Sequence, residues 1–323
     1  MAYSDLWKYC TAKHCNNLLI SLDLFAPMDM AADRQIACLY ELSNHPERHY
    51  RTARLPKHDG SFRRIDIPDF LMKTVQSNLL SHFLEQQPIS PYAAAYHKGA
   101  APAVHARLHT GAKQLLKLDI KDFFPNITFS MVFQTAFPHR LLPPAVGVLL
   151  TNLCCLRESL PQGSPASPYI SNLVMRSFDD YIGGWCAEQN IRYSRYCDDL
   201  TFSGDFDHEM VFHKARGFLT AMGFALNNRK TCRLSSGQRQ TVTGLVVNEK
   251  VQVSKAYRRS IRQEIYYCRK FGVRPHLTHC HKEIDPIFYL NSLAGKINWV
   301  LSVNPEDAEF SAYRSQVREW LNM

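Results

Sequence analysis

Three acids stand where a carboxylate is costly. Asp119 lies in LLKLDIKDFF, an alternation of apolar and polar residues, while Asp198 and Asp199 interrupt the aromatic and β-branched run IRYSRYCDDLTFSG. A carboxylate buried or half-buried in a strand is expensive unless a cation faces it. One strand acid beside a hairpin pair could hold two hard divalent cations about 3.5–4 Å apart, clamping the attacking and leaving oxygens of a phosphoryl transfer. The same spacings also suit a solvated β-turn at Asp198-Asp199 with Asp119 on the surface.

The elements around these acids follow from pattern. LLKLDIKDFF predicts a strand ending at Pro125, and IRYSRYCDDLTFSG predicts a hairpin whose turn carries the two carboxylates. RTARLPKHDGSFRRIDIP reads as two strands joined at Asp59-Gly60, a hairpin bearing Lys57, Arg63 and Arg64. TVTGLVVN adds a short strand. Apolar residues at helical spacing, among them Leu18, Leu19, Leu22, Ile36 and Leu39, predict helices within the first forty residues, and Phe70 to Leu84 predicts another. From Ser254 the pattern turns helical. Between Ser254 and Pro275 the cations Lys255, Arg258, Arg259, Arg262, Arg269, Lys270 and Arg274 face the single acid Glu264, with Tyr257, Tyr266, Tyr267 and Phe271 interleaved. Such a helix offers phosphate contacts beside stacking surfaces, or a solvated basic face over a packed aromatic one. The fold class is α+β with a helical C-terminal lobe.

Composition narrows the function classes. Hydrophobic residues make up 46% of the 323 and charged residues 21%, which excludes collagen-like, coiled-coil and wholly disordered chains. Lys and Arg number 38 against 29 Asp and Glu, so the net charge of +9 favours an anionic partner such as nucleic acid, although a merely soluble basic surface has the same balance. The opening MAYSDLWKYCTAKH has no apolar signal core, so the ten cysteines read as reduced thiols of a cytoplasmic protein. Leu141 to Leu156, the most apolar stretch, is too short for a bilayer and carries Pro143 and Pro144, so no membrane span is expected. His276, His279, Cys280 and His281 lack a second pair at zinc-site spacing.

Taken in order, these segments resemble the reverse transcriptases. LKLDIKDFF is similar to the first catalytic motif of that family, LPQGSPASPYISN to the second, YCDD to the third, GFALNNRKT to the fourth and VTGLVVN to the fifth, with RLPKHDGSFRRIDIP upstream as the fingers hairpin. Six motifs stand in the family's order between Tyr50 and Asn248. Within the family the chain is most similar to bacterial retron enzymes, through its compact length, Val242-Thr243-Gly244, and His105-Ala106-Arg107-Leu108-His109 ahead of the first motif. His105 stands where Asn is usual, and Cys197 where Ala is usual.

The resemblance implies a right-hand polymerase fold: a helical extension over 1–45, fingers and an antiparallel palm over 46–250, and a helical, RNA-binding thumb over 251–323. It implies metal ligation of two Mg²⁺ ions by Asp119, Asp198 and Asp199, with the Ile120 carbonyl as a further oxygen. Lys57 and Arg63 would grip the triphosphate of a dNTP, Gln162 would contact the nucleotide, and Gly163 would permit close backbone approach. Phe124 would be the steric gate against a ribose 2′-OH, and Lys230 would assist the leaving pyrophosphate. Lys255, Arg258, Arg259, Arg262, Arg269 and Lys270 would bind RNA. The activity implied is RNA-directed DNA synthesis on a cognate noncoding RNA, giving branched RNA-linked DNA primed from an RNA 2′-OH, with an effector protein in antiphage defence. Too few residues follow the thumb for a ribonuclease H domain of about 50 residues, so template RNA would be removed in trans. Two alternatives share these motifs: a small reverse transcriptase with conventional priming, and a noncatalytic RNA-binding scaffold.

Overall fold

A computed structural model describes residues 6–56, 60, 62–280 and 284–322. In chain order its elements are α1 (Ala12–Ser21), α2 (Ala32–Asn44), β1 (Tyr50–Pro56), β2 (Phe62–Pro68), α3 (Phe70–His82), α4 (Pro102–Arg107), β3 (Gln114–Asp119), α5 (Phe129–Ala136), α6 (Pro144–Cys154) and α7 (Ser167–Glu188). They continue as β4 (Arg192–Tyr196), β5 (Asp199–Gly204), α8 (His208–Ala221), β6 (Cys232–Ser235), β7 (Thr241–Val242), β8 (Leu245–Val246), α9 (Lys255–Phe271), α10 (Val273–His279), α11 (Pro286–Val303) and α12 (Ala308–Leu321). The sheets are the hairpin β1-β2, a four-stranded sheet in the order β4-β5-β3-β6, and the small hairpin β7-β8.

The chain divides into two compact units, each discontinuous in sequence: 1–99 with 117–201 and 207–231, and 100–116 with 202–206 and 232–323. Strand β3 ends sooner than its pattern predicts. It stops at Asp119, and a turn through Asp122, whose φ is +46°, leads into a short 3₁₀ segment at Phe124–Asn126. Apolar residues continue to face the core beyond the strand, at Ile120, Phe123 and Ile127, but three and four residues apart and no longer in alternation.

In the first unit α7 supplies the main buried face, with Ile170, Met175, Phe178 and Ile182 all inaccessible to solvent. Gly183 on this helix sits against the Tyr92 ring, which occupies the space a Cβ would need. Hairpin β1-β2 pairs from Tyr50↔Pro68 to Pro56↔Phe62 and is buried only at its base, leaving Leu55 and Phe62 exposed. Asp69 begins α3 by accepting from the Met72 amide at 2.8 Å, meeting one of the donors that a helix start leaves unpaired.

The second unit is built on α9, α11 and α12. Ile261, Ile265, Leu293, Ile297, Phe310 and Val317 are at most 1% exposed, and each such burial stabilises by roughly 1.5–3 kcal/mol. Around this core Asp307 caps α12 by accepting from the Phe310 amide at 3.2 Å while its other oxygen takes Arg258 Nη1 at 2.7 Å. Arg262 grips Glu309 with Nε and Nη2, both at 2.6 Å. All ten cysteines are free thiols, and among the described residues no helix is long and apolar enough to cross a membrane.

The Arg262 hydrogen bonds hold the Glu309 carboxyl down at about 2, against an ordinary 4.5. A carboxyl whose folded value is depressed adds stability above its unfolded value, and that stability is lost as pH falls through the folded one. Glu309→Gln should therefore lower stability at pH 7 by about 1 kcal/mol, the side chain being screened by solvent, and should flatten the loss between pH 4.5 and 2. Urea titrations of both proteins at pH 7 and pH 3 measure this; parallel losses would rule out the Arg262–Glu309 pair as the source.

Candidate active site

The first unit contains a cleft of about 680 Å³ whose lining includes Arg63, Asp119, Ile120, Phe124, Gln162, Asp198 and Lys230. These residues come from five separate stretches of chain. The end of β3 delivers Asp119 and Ile120, and the β4-β5 hairpin delivers Asp198 in a tight turn. The two are joined through the backbone, since the Ile120 amide donates to the Asp198 carbonyl at 2.9 Å. The 225–227 segment closes the other side of β3: the Asn227 amide donates to the Asp119 carbonyl, and the Lys121 amide to that of Ala225, both at 2.8 Å. This pairing carries Lys230 inward, and its Nζ lies 2.9 Å from Asp119 Oδ2.

Burial acts in the same direction on the two hairpin acids. Burial raises the Asp198 carboxyl above its usual range and Asp119 adds to the rise, while Lys230 and Arg63 oppose it. Asp199 is also raised, first by burial and then by the two neighbouring acids, against the pull of Lys117. The hydrogen bond to Asp119 raises Lys230, which is thus held as the ammonium. Asp199 is half-buried and does not line the cleft. Among the described residues no three His, Cys, Asp or Glu side chains form a group that could hold a metal ion as they stand. The donor chemistry nevertheless fits a hard divalent cation: oxygen donors only, and carboxylates that repel one another, answered in part by the Lys230 ammonium beside Asp119.

Gln162 and Gly163 are tied to the base of the β1-β2 hairpin. The Asp66 amide donates to the Gln162 carbonyl at 2.8 Å, and Gly163, at φ +132°, lies where a Cβ would collide with the Asp66 carbonyl oxygen. Only glycine tolerates that approach. Phe124 is half-buried and meets Phe123 edge-on at 5.5 Å, leaving part of its ring on the cleft. Arg63 and Arg64 are both exposed on β2 and both line the cleft, but Arg64 is drawn to Asp66 Oδ1 at 2.9–3.0 Å. Lys57 lies outside the described residues.

Sequence reasoning missed several lining residues: Tyr96, Asp122, Arg157 and Asn227. Tyr96, Asp122, Arg157 and Cys197 all have φ between +46° and +62°, a region unfavourable for non-glycine residues, and all four line this cleft. No pattern of residue types announces such backbone.

In the second unit the basic helix α9 splits into two faces. Arg258 is paired with Asp307 and lies over the Phe310 ring at 4.6 Å; Arg262 grips Glu309; Arg269 donates to Gln316 and lies over Tyr313. These three turn toward α12. Lys255, Arg259 and Lys270 are exposed, and Lys270 Nζ stands 5.8 Å from the exposed Tyr266 ring and 5.2 Å from that of Phe271. His105, the departure noted above, is buried in α4 edge-on to His109, whose Nδ1 is 2.7 Å from Ser203 Oγ.

With this geometry in place, comparison decides the family. Residues 55–261 match the family model described as reverse transcriptase (RNA-dependent DNA polymerase). The retron Ec86 reverse transcriptase of Escherichia coli is 33% identical over 222 residues, covering 67% of this chain and 68% of that protein. The chain belongs to the retron reverse transcriptases. Two further relatives of this retron family are the Mx65 enzyme of Myxococcus xanthus, 31% identical over 84% of this chain and 65% of that one, and the Ec83 enzyme of Escherichia coli, 30% identical over 82% and 86%. The telomerase of Candida albicans, solved in complex with a TWJ fragment of telomeric RNA, aligns at 11% identity and a TM-score of 0.43 over 83% of this chain and 63% of that one. The retron reverse transcriptase is thus an RNA-directed DNA polymerase with an α+β fold.

Proposed function

We propose that this polymerase copies part of a cognate structured noncoding RNA into branched, RNA-linked single-stranded DNA, priming from an RNA 2′-OH and acting with an effector protein in antiphage defence. Cellular ribonuclease H would remove the copied template in trans. The observation that carries the catalytic part is the convergence of Asp119, Asp198, Lys230, Arg63, Phe124 and Gln162 on one cleft.

In this reading Asp119, Asp198 and Asp199, with the Ile120 carbonyl, hold two Mg²⁺ ions, which supply charge neutralisation at the transferring phosphoryl group. Arg63, with Lys57, grips the triphosphate of the incoming dNTP through charge-assisted hydrogen bonds. Gln162 contacts the nucleotide, and the missing side chain at Gly163 lets the backbone come close. Lys230, kept protonated beside Asp119, carries a proton available to the leaving pyrophosphate. The Phe124 ring fills the space a ribose 2′-OH would require.

The thumb reading becomes narrower than the sequence suggested. Lys255, Arg259 and Lys270, with Tyr266, form the face of α9 open to RNA, because Arg258, Arg262 and Arg269 already have partners on α12. Their charges would add long-range attraction, but drawing them onto phosphate would cost the packing of α12.

Three measurements test this reading. Asp198→Asn keeps shape and removes charge, so extension of a primed RNA template should fall by at least 10³-fold while the urea midpoint stays close to wild type; near-normal extension would sink the assignment. Phe124→Ala should raise the ratio of kcat/KM for GTP over dGTP by about tenfold or more, and an unchanged ratio would remove the gate role. Lys255→Glu/Arg259→Glu/Lys270→Glu should abolish branched DNA from the cognate RNA at matched ionic strength, yet spare extension of a saturating, pre-annealed primer on an unrelated template. Equal decline in both assays would leave a nonspecific duplex grip instead of recognition.

A further inference from the structure

Behind the Asp198 turn lies a guanidinium that no reaction step uses. Arg195 on β4 and Asp179 on α7 are both fully inaccessible to solvent. Arg195 Nε lies 3.0 Å from each Asp179 oxygen, and Nη2 donates to Asp179 Oδ2 at 2.6 Å. The rest of the fork is also engaged. Nη2 reaches Asn172 Oδ1 at 3.1 Å, Nη1 donates to the Cys197 carbonyl at 3.0 Å, and the Tyr193 hydroxyl donates to Asp179 Oδ1 at 2.7 Å.

Packing alone gives little reason for this arrangement. A buried ion pair can often be replaced by apolar side chains of similar volume without loss of stability, because desolvation of the two charges offsets their attraction. What an apolar pair could not do is donate to a carbonyl. The carbonyl in question belongs to Cys197, a non-glycine residue held at φ +59° immediately before Asp198. Backbone in that region persists only where its surroundings over-determine it. Two bonds pin this turn: Arg195 Nη1 holds the Cys197 carbonyl, and the Ile120 amide holds that of Asp198. The Arg195 backbone is fixed as well, its amide donating to Tyr92 and its carbonyl accepting from Ala94.

We infer that the Arg195–Asp179 pair is a positioning device, which sets the strained backbone of the Cys197-Asp198 turn so that the Asp198 carboxylate enters the cleft. Arg195 and Asp179 are positioning residues, since neither lines the cleft itself. The inference rests on Asp198 being an acid the reaction uses. Asp179 fixes the plane of the guanidinium, Asn172 fixes its rotation, and the remaining donor is thereby aimed at one carbonyl. Arginine is suited to this task because its planar fork reaches several acceptors at once, which a lysine ammonium does not.

The experiment is the apolar double variant Asp179→Leu/Arg195→Met. It should remain folded without urea, with a midpoint lowered by the loss of the donors to Asn172 Oδ1 and the Cys197 carbonyl. Its kcat on a primed RNA template should fall at least 100-fold with KM for dNTP changed less than threefold, and its affinity for Mn²⁺, titrated by electron paramagnetic resonance without substrate, should weaken 10–100-fold. A merely structural pair would leave Mn²⁺ affinity and kcat untouched once the protein folds. Wild-type kcat and Mn²⁺ affinity in the folded double variant would overturn the proposal. Should that variant fail to fold, Arg195→Lys retains the charge opposite Asp179 while losing the fork, and the same losses are expected of it. Normal values there, or failure of both variants to fold, would reduce the pair to a stability element and overturn the inference. Asp198→Asn assayed in parallel separates the two readings: full activity in that variant breaks the assignment of Asp198, whereas loss there beside full activity in Asp179→Leu/Arg195→Met breaks only the positioning role.

Discussion

The buried contact between Arg195 and Asp179 organises the first unit from within. Two charges at zero exposure are tolerable only when each donor and acceptor is met, and here α7, β4 and the Cys197 carbonyl meet them together. Because the pair joins helix to strand to turn, the position of the acidic hairpin is tied to the longest helix instead of to a surface loop. Gly183 contributes to the same assembly by leaving space for Tyr92, whose carbonyl receives the Arg195 amide.

Strain is concentrated where chemistry is expected. Four of the cleft residues carry left-handed backbone without being glycine, and each such residue costs of order 1–3 kcal/mol. Burial of the acids adds a further cost, visible as the upward shifts of Asp198 and Asp199. A set of like charges held this way is poised for cations, and in the protein alone Lys230 answers part of that demand by its bond to Asp119. The cleft is therefore destabilised for its own sake and held by the packed structure around it.

The second unit shows how tertiary contacts divide a uniform charge pattern. Read as a helix, α9 presents its arginines and lysines as one basic stripe. In the fold, the arginines nearest the core are turned onto Asp307, Glu309, Gln316 and the rings of Phe310 and Tyr313, where they hold α12. Arginine suits both tasks, since its fork pairs with carboxylates as well as phosphates. The part of the stripe one step further round the helix, Lys255, Arg259 and Lys270, lies exposed beside Tyr266 and is not drawn onto α12.

What the sequence by itself determined is the chemistry and its order along the chain. Alternation located the strand of Asp119, the aromatic and β-branched run located the hairpin that carries Asp198, helical periodicity located α3 and α9, and the six motifs identified the polymerase family, because these signals depend on residue type and near-neighbour spacing. The end of β3 was misread, since Phe123 and Ile127 continue an apolar pattern through a turn that is set by Asp122 backbone and not by side-chain type. Tyr96, Arg157 and Asn227 were invisible as cleft residues, and the bond between Arg195 and the Cys197 carbonyl left no trace in composition. Which cations of α9 face outward was decided by Asp307, Glu309 and Gln316, 47–49 residues after their partners in the chain. Those outcomes belong to the tertiary structure for one physical reason: a carboxylate, carbonyl or ring changes a side chain's role only when folding brings it within a few ångströms, and distance along the sequence does not encode that approach.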